Sequence, residues 1–420
     1  LASNPKTQSD VEDDDARFWL SEIGAAKERM GDWYDKAEEA EDRYRDCEKR
    51  KFGQLNIFWA NVETQKAAIG EDFGKPQVSR VNQPANDGGM SRHIANLWER
   101  AIAAAVRETH DAHDIALAVH DQFVPGRGQV WVELELIEDE EESITWVRAP
   151  IVRVPYKQYL EGYATRWGGV PWVGRQHLFT KDELVSQCGI SEEDAALVPM
   201  SVQLPYNDRK DKPSNAKGKE QFKRAAVWEI WSKYPKKERI YVAEGYDTIL
   251  CRDDDPYRLK DFFPCPRPLL ANGDEGYQEP MTDYSRYEDQ AKELDEISAR
   301  IFVHTANLRR RGIHDKKFKE IADLAEAADN VTLAVDNWVE LQSKGGLMKV
   351  IEWEDLQPTI TVLAELHKQR AELIQLIYEL SGISDLARGQ TDPNETLGAQ
   401  KLKQTFGSSR FQRREAEARR

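Results

Sequence analysis

Three histidines in one short stretch, His110, His113 and His120, alternate with Asp111, Asp114 and Asp121, side-chain types that ligate metals. His110 and His113 share a helix face, but neither an HExxH arrangement nor a cysteine joins them. A solvated helix surface is the plainer reading. A second acidic group, Asp253-Asp254-Asp255-Pro256, has the oxygens for calcium or, with Glu133 and Glu135, for the metal of a nuclease. Glu133 and Glu135, however, alternate with apolar residues as the wet face of a half-buried strand does, and Asp-Asp-Asp-Pro is equally a turn. The nearest approach to a phosphate loop, Lys217-Gly218-Lys219-Glu220, lacks the leading glycine and the closing hydroxyl, so an ATPase is not expected. The 12 tryptophans have the faces to stack on bases, but several sit beside Val, Leu and Ile, where core or intersubunit packing is the simpler role. The expectation is therefore no catalytic residue, no metal and no cofactor.

The 420 residues suffice for two or three packed modules. Charged residues make up 32%, and the net charge of -16 argues against a protein that coats nucleic acid, although an acidic chain can let DNA pass without holding it. Cys47, Cys188, Cys251 and Cys265 are scattered, which fits reduced thiols in a cytosolic setting. No apolar run approaches the roughly 20 residues that cross a bilayer, and the N-terminus has no signal-peptide pattern. Opening on Leu1, the sequence reads as starting inside a longer gene product.

Residues 1–50, with 15 acidic and 9 basic side chains, carry Phe18, Leu20, Ile23, Met30, Trp33 and Tyr34 at spacings that predict one or two amphipathic helices. A helix is expected over 91–122, stopping before Pro125-Gly126-Arg127-Gly128. Strands follow at Val130–Ile137 and Ile144–Val154, with further β character at Trp167–Phe179, Ala226–Trp231 and Arg239–Glu244, and a polar loop at Asn207–Lys219. Residues 46–280 thus form a mixed α+β module. Thr282 is the expected N-cap of a helix of roughly 30 residues, about 45 Å long, ending at Arg309-Arg310-Arg311 and Gly312. A second long helix opens at Pro358, carries Leu363, Leu366, Leu373, Ile377 and Leu380, and stops at Ser381-Gly382. Between them a helix (315–328) and strands (331–336, 347–353) are expected. After a polar loop, Asp392-Pro393-Asn394-Glu395 caps a third helix, interrupted by Gly398 and Gly407-Ser408-Ser409.

This order of elements resembles the core of tailed-bacteriophage portal proteins, especially those of short-tailed phages. The wording is similar at Asn56-Ile-Phe-Trp-Ala-Asn-Val-Glu-Thr-Gln65, Gly126-Arg-Gly-Gln-Val-Trp-Val-Glu133 and Phe262-Phe-Pro-Cys-Pro-Arg-Pro268. It is closer still at Tyr287–Ile301 and Tyr378–Gly389, followed by Glu395–Gln400 and Phe406–Arg410. The likeness covers most of residues 50–410 and rests on the order of these stretches, none of which is a catalytic motif.

The resemblance implies an α+β portal-type fold: a wing over 1–281, stem helices at 282–312 and 357–382, a clip at 313–356, a tunnel loop at 383–394 and a kinked tunnel helix at 395–420, with any crown absent or truncated. It implies a structural ring, usually of twelve copies, at one capsid vertex of the virion, assembled in the host cytoplasm and passing double-stranded DNA. Its partners would be the terminase, the major capsid or scaffold protein, and then head-completion or tail adaptor proteins, with no membrane. Ser384, Asp385, Arg388, Gln390, Thr391 and Asn394 would belong to the tunnel loop. Glu365, Glu372 and Glu379, seven apart and away from the Leu stripe, either line the channel and repel phosphates or form an ordinary solvated face. Residues 401–420, with seven Lys/Arg against two Glu, either touch DNA or neutralise the acidic N-terminal region of a neighbouring copy. The competing readings are another helical virion assembly or scaffold protein and, further off, a metal-dependent nuclease.

Overall fold

The computed structural model describes residues 8–46, 55–69, 77–78, 89–109, 111–139, 144–203, 223–274, 277–309, 311–314, 338–345 and 351–383, with 414, 416 and 417. The chain is mixed α+β and divides into two units. The first comprises Leu1–Glu48, Phe58–Arg286 and Ser381–Arg420, and the second Lys49–Ile57 and Tyr287–Leu380.

In the first unit, α1 (Gln8–Arg29) and α2 (Gly31–Arg45) share one buried line: Ala16, Trp19, Ile23, Ala26, Met30, Trp33, Ala37 and Ala40. Its steps of three and four run through the junction at Met30 without a break, as an amphipathic stripe requires. Phe18, expected in the stripe, is instead 55% exposed: it stands one residue, about 100° of turn, from Trp19 and so off the line that Ala16 and Ala26 complete.

The α1 part of that line packs on an antiparallel sheet in the order β10-β9-β8-β6-β5, with β7 also pairing β8, while Met30, Trp33 and Ala37 pack with Tyr156. The strands are β5 (Tyr159–Glu161), β6 (Trp172–Phe179), β7 (Val202–Gln203), β8 (Lys223–Ser232), β9 (Glu238–Ala243) and β10 (Ile249–Asp254). The two-residue period sorts their side chains. Trp228, Ile230, Ile240, Val242 and Trp172 meet Trp19, Ile23 and Ala26 of α1. On the other face, Val173 and Trp231 pack with Trp131, Phe262 and Phe263, while Val227, Tyr241 and Ala243 meet Leu184 and Cys188 of α6 (Lys181–Cys188) and Ala195 of α7 (Glu192–Leu197).

A smaller sheet, β11 (Leu269–Leu270), β1 (Arg127–Val132) and β4 (Ile151–Val154), lies beside α5 (Asp111–Phe123), and β12 (Asn272–Asp274) pairs antiparallel with β13 (Tyr277–Met281). Gly128 permits that approach: a Cβ there would sit 1.9 Å from the Ala118 carbonyl oxygen. Its neighbour Arg127 is buried, donates through Nη2 to the carbonyls of Tyr156 and Tyr159 at 2.9 Å each, and lies 4.5 Å from the Trp33 ring centroid. Each of the two strands expected between 130 and 154 is split. The first gives β1 and β2 (Glu135–Asp139), the second β3 (Ile144–Arg148) and β4, so that β2 pairs β3 while β1 pairs β4. Pro150, which has no amide proton to donate, stands at the second break. The helix expected over 91–122 is two helices, α4 (Met90–Glu108) and α5, following α3 (Ile57–Ile69).

In the second unit, α8 (Glu288–Asn307) buries Ala291, Leu294, Ile297 and Ser298, and α10 (Gln357–Ser381) buries Leu363, Leu366 and Ile377. Between them lie β14 (Gly312–His314), paired antiparallel with β15 (Ile351–Trp353), and the short α9 (Trp338–Ser343). The helix and strand expected at 315–328 and 331–336 lie outside the described residues, as does the loop expected at 207–219.

The helix expected from Thr282 is shorter than its sequence pattern predicts. Thr282 caps only a single turn, its Oγ1 accepting from Ser285 N at 3.1 Å, and α8 begins at Glu288. Asp283 is held by tertiary partners: Asn272 donates to it at 2.7 Å and Arg414 at 2.6 and 2.8 Å. At the other end α8 stops at Asn307, and Gly312 is the first residue of β14 rather than a helix stop. Twenty residues give about 30 Å of helix. α10 starts and ends as expected, with Gly382 in the left-handed region at φ +74°.

Candidate functional site

The residues singled out for chemistry form four groups. Glu365, Glu372 and Glu379 are all exposed on α10. At about 100° per residue, seven-residue steps return to nearly the same side, so the three carboxylates form one line almost opposite Leu363, Leu366 and Ile377. Lys368 approaches Glu372 at 3.9 Å with both side chains about two-thirds exposed, an i,i+4 contact worth little. Between the carboxylate line and the buried line runs a third strip, Val362, Leu376 and Leu380, exposed at 38–45%. Arg370 Nε donates to Ser298 Oγ at 3.2 Å, which ties α10 to α8 inside the second unit.

Of the segment 383–394, only Ile383, which is buried, is described. Ser384, Asp385, Arg388, Gln390, Thr391 and Asn394 lie outside the described residues.

The His/Asp stretch is not the solvated face that its composition suggests. His110 lies outside the described residues and His113 is exposed, but Asp111 and Asp121 are buried. Asp111 Oδ1 accepts from the amide of Ile151 at 3.0 Å, and Asp114 Oδ1 from that of Arg153 at 3.0 Å. One turn of helix thus matches two residues of strand, and the carboxylates satisfy the outward amides of β4. Asp121 takes the Arg153 guanidinium through two bonds, 2.5 and 2.8 Å. His120 lies edge-on to Tyr44, and burial, helped by the charges of Lys66 and Arg153, depresses its pKa to about 4.

Glu133, Glu135 and Asp253–Asp255 do not converge. Glu135 is exposed on β2, Asp254 pairs Lys236 at 2.7 Å, and Asp255 Oδ1 accepts from Arg258 N at 3.1 Å. Glu133 and Asp253 are instead the two ends of a charge ladder across the large sheet. Glu133 meets Arg175 at 2.5 Å, Arg175 meets Glu229 at 3.3 Å, and Arg239 lies 4.0 Å from Glu229 and 2.6 Å from Asp253. Strand register builds it: Arg175 stands opposite Glu229, Trp231 opposite Arg239, and Asp253 opposite Arg239. Glu229 also accepts from Trp231 Nε1 at 2.9 Å and contacts His177 Nε2 at 2.8 Å. Burial alone would raise its pKa; the His177 bond and the Arg175 charge outweigh that and hold it at about 2. A carboxylate so far below neutral pH, with both oxygens engaged, keeps its charge and locks strands together.

Sequence reasoning missed this ladder, since its members are spread over five segments. The available signal was a glutamate inside the apolar run Ala225–Trp231. Among the described residues no group of three or more His, Cys, Asp or Glu is placed to hold a metal, and no helix is long and apolar enough to cross a membrane. Comparison with protein-family models gives no match, and a search of curated proteins finds none that is similar.

Proposed function

We propose that this chain is a structural subunit of a phage portal ring, the channel at one capsid vertex through which double-stranded DNA is packaged and ejected. The observation that supports this best is the division of α10 into three longitudinal strips: buried leucines and isoleucine, exposed apolar residues, and exposed glutamates. A helix on the surface of a solitary domain needs only an inner and an outer face. A helix in a ring needs a third, for the next copy, and head-to-tail contact around a closed ring supplies it. The glutamate line then faces the channel. Duplex DNA carries about one charge per 1.7 Å of axis, so a basic lining would bind it and a carboxylate lining lets it slide. The segment 313–356 would meet the terminase and later the tail or head-completion proteins, and 383–394 would touch the DNA.

Native mass spectrometry and negative-stain imaging of the full chain test the reading. Closed rings with a central pore are expected. A monomer at every concentration overturns it, and elongated oligomers without a pore favour a helical scaffold protein.

A further inference from the structure

α4 differs from the other long helices of its unit in burying none of its 19 residues. Met90, Ile94, Leu97, Trp98 and Ile102 recur three or four apart on one side and remain 39–64% exposed. At about 100° per residue, His93, Arg100 and Arg107 fall on the flank beside Leu97. Isolated helices of this length are marginal in water, since propensity alone does not offset the cost of ordering them. A face of this kind, contiguous and apolar with a charged border, marks a binding surface.

We propose that the apolar face of α4 is a docking surface for a second copy of this chain, which presents the acidic outer side of its α1 and α2. Charge complementarity selects this occupant. The exposed residues of α1 and α2 include Asp14, Glu28, Asp32, Asp35 and Asp42 against Arg17, Lys36 and Arg45. Phe18, 55% exposed one turn from Asp14, gives that acidic surface an apolar contact of its own. The two surfaces are different, so their contact is heterologous and runs from copy to copy around a ring. In this form the proposal rests on the ring reading above and adds one of the surfaces that closes it.

The test uses the full chain with the double substitution Leu97→Asp and Trp98→Asp, both at exposed positions where the fold should hold, as circular dichroism verifies. Loss of a central tryptophan anchor should weaken assembly at least about thirtyfold, read by native mass spectrometry across a dilution series. A photo-crosslinker replacing Leu97 in the assembled protein should join to peptides from α1 or α2 of another copy. Rings unchanged by the double substitution overturn the docking surface and leave the ring reading standing. An oligomer that is not a ring, but that dissociates in the variant, overturns the ring reading and leaves the docking surface. Crosslinks confined to the same copy, a wild-type chain that stays monomeric, or binding of α4 to anionic vesicles with assembly unchanged in the variant each overturn the proposal.

Discussion

Arg175 and Glu229 face each other across the β6–β8 ladder, and the carboxylate they share with His177 is almost wholly withdrawn from water. The Glu229 pKa of about 2 lies below that of an unfolded glutamate, so the pairing stabilises the fold above about pH 4.5. That stability, on the order of 3 kcal/mol, is lost as pH falls from about 4.5 through about 2. Glu229→Gln should cost about 3–5 kcal/mol at pH 7, because it leaves buried guanidinium charge without its partner. Urea titrations at pH 7 and pH 2 check both numbers: the variant should lose less stability than wild type over that interval.

His120 acts in a higher window. Its folded pKa of about 4 is below the unfolded value of 6.5, so the unfolded chain takes up the proton first and stability falls as pH drops from about 6.5 to about 4. His120→Gln should flatten the stability profile between pH 7 and 5 and leave the Glu229 window untouched. A profile with the same slope in variant and wild type would assign the upper window to another group.

The carboxylates of Asp111 and Asp114 complete the hydrogen bonding of β4. Asp111→Ala or Asp114→Ala should each cost about 1–3 kcal/mol by leaving an amide without an acceptor. Asn, which keeps a carbonyl oxygen at the same place, should cost less. Hydrogen exchange at Ile151 and Arg153 reports the effect directly, and it should quicken in the alanine variants.

Glu365, Glu372 and Glu379 are exposed, so replacing all three with Lys should leave folding unchanged. In a channel lining the change should create DNA affinity that falls steeply with salt and should slow passage of the genome. Gel-shift titrations from 50 to 200 mM salt, beside a measurement of packaged DNA, separate this from an outward-facing row, for which packaging would be unaffected.

Much of the helical framework was legible in the sequence. Pro358 and Gly382 bracket α10 within a residue at its start and at its stop, because a fixed φ and a left-handed glycine are local requirements that no distant residue has to supply. The helix expected from Thr282 shows the opposite. Thr282 has every local mark of an N-cap, yet Asp283 is claimed by Arg414, 131 residues away, and the chain completes only one turn before α8 starts. The charge ladder was hidden for the same reason. Arg175, Glu229, Arg239 and Asp253 become neighbours only through strand register, which a single sequence does not reveal. The glutamate line on α10 was legible as a spacing, while the apolar strip beside it emerged only from knowing which residues are buried.

The two aspartates that reach from α5 to β4 have a consequence beyond stability. An edge strand with free amides is a template on which another chain can add a strand, and protein sheets left open in this way grow into fibres. On β4 the outward amides of Ile151 and Arg153 are already taken by side chains of the same molecule. That edge is closed to strand exchange, so copies crowded together at high local concentration cannot extend the sheet through those amides.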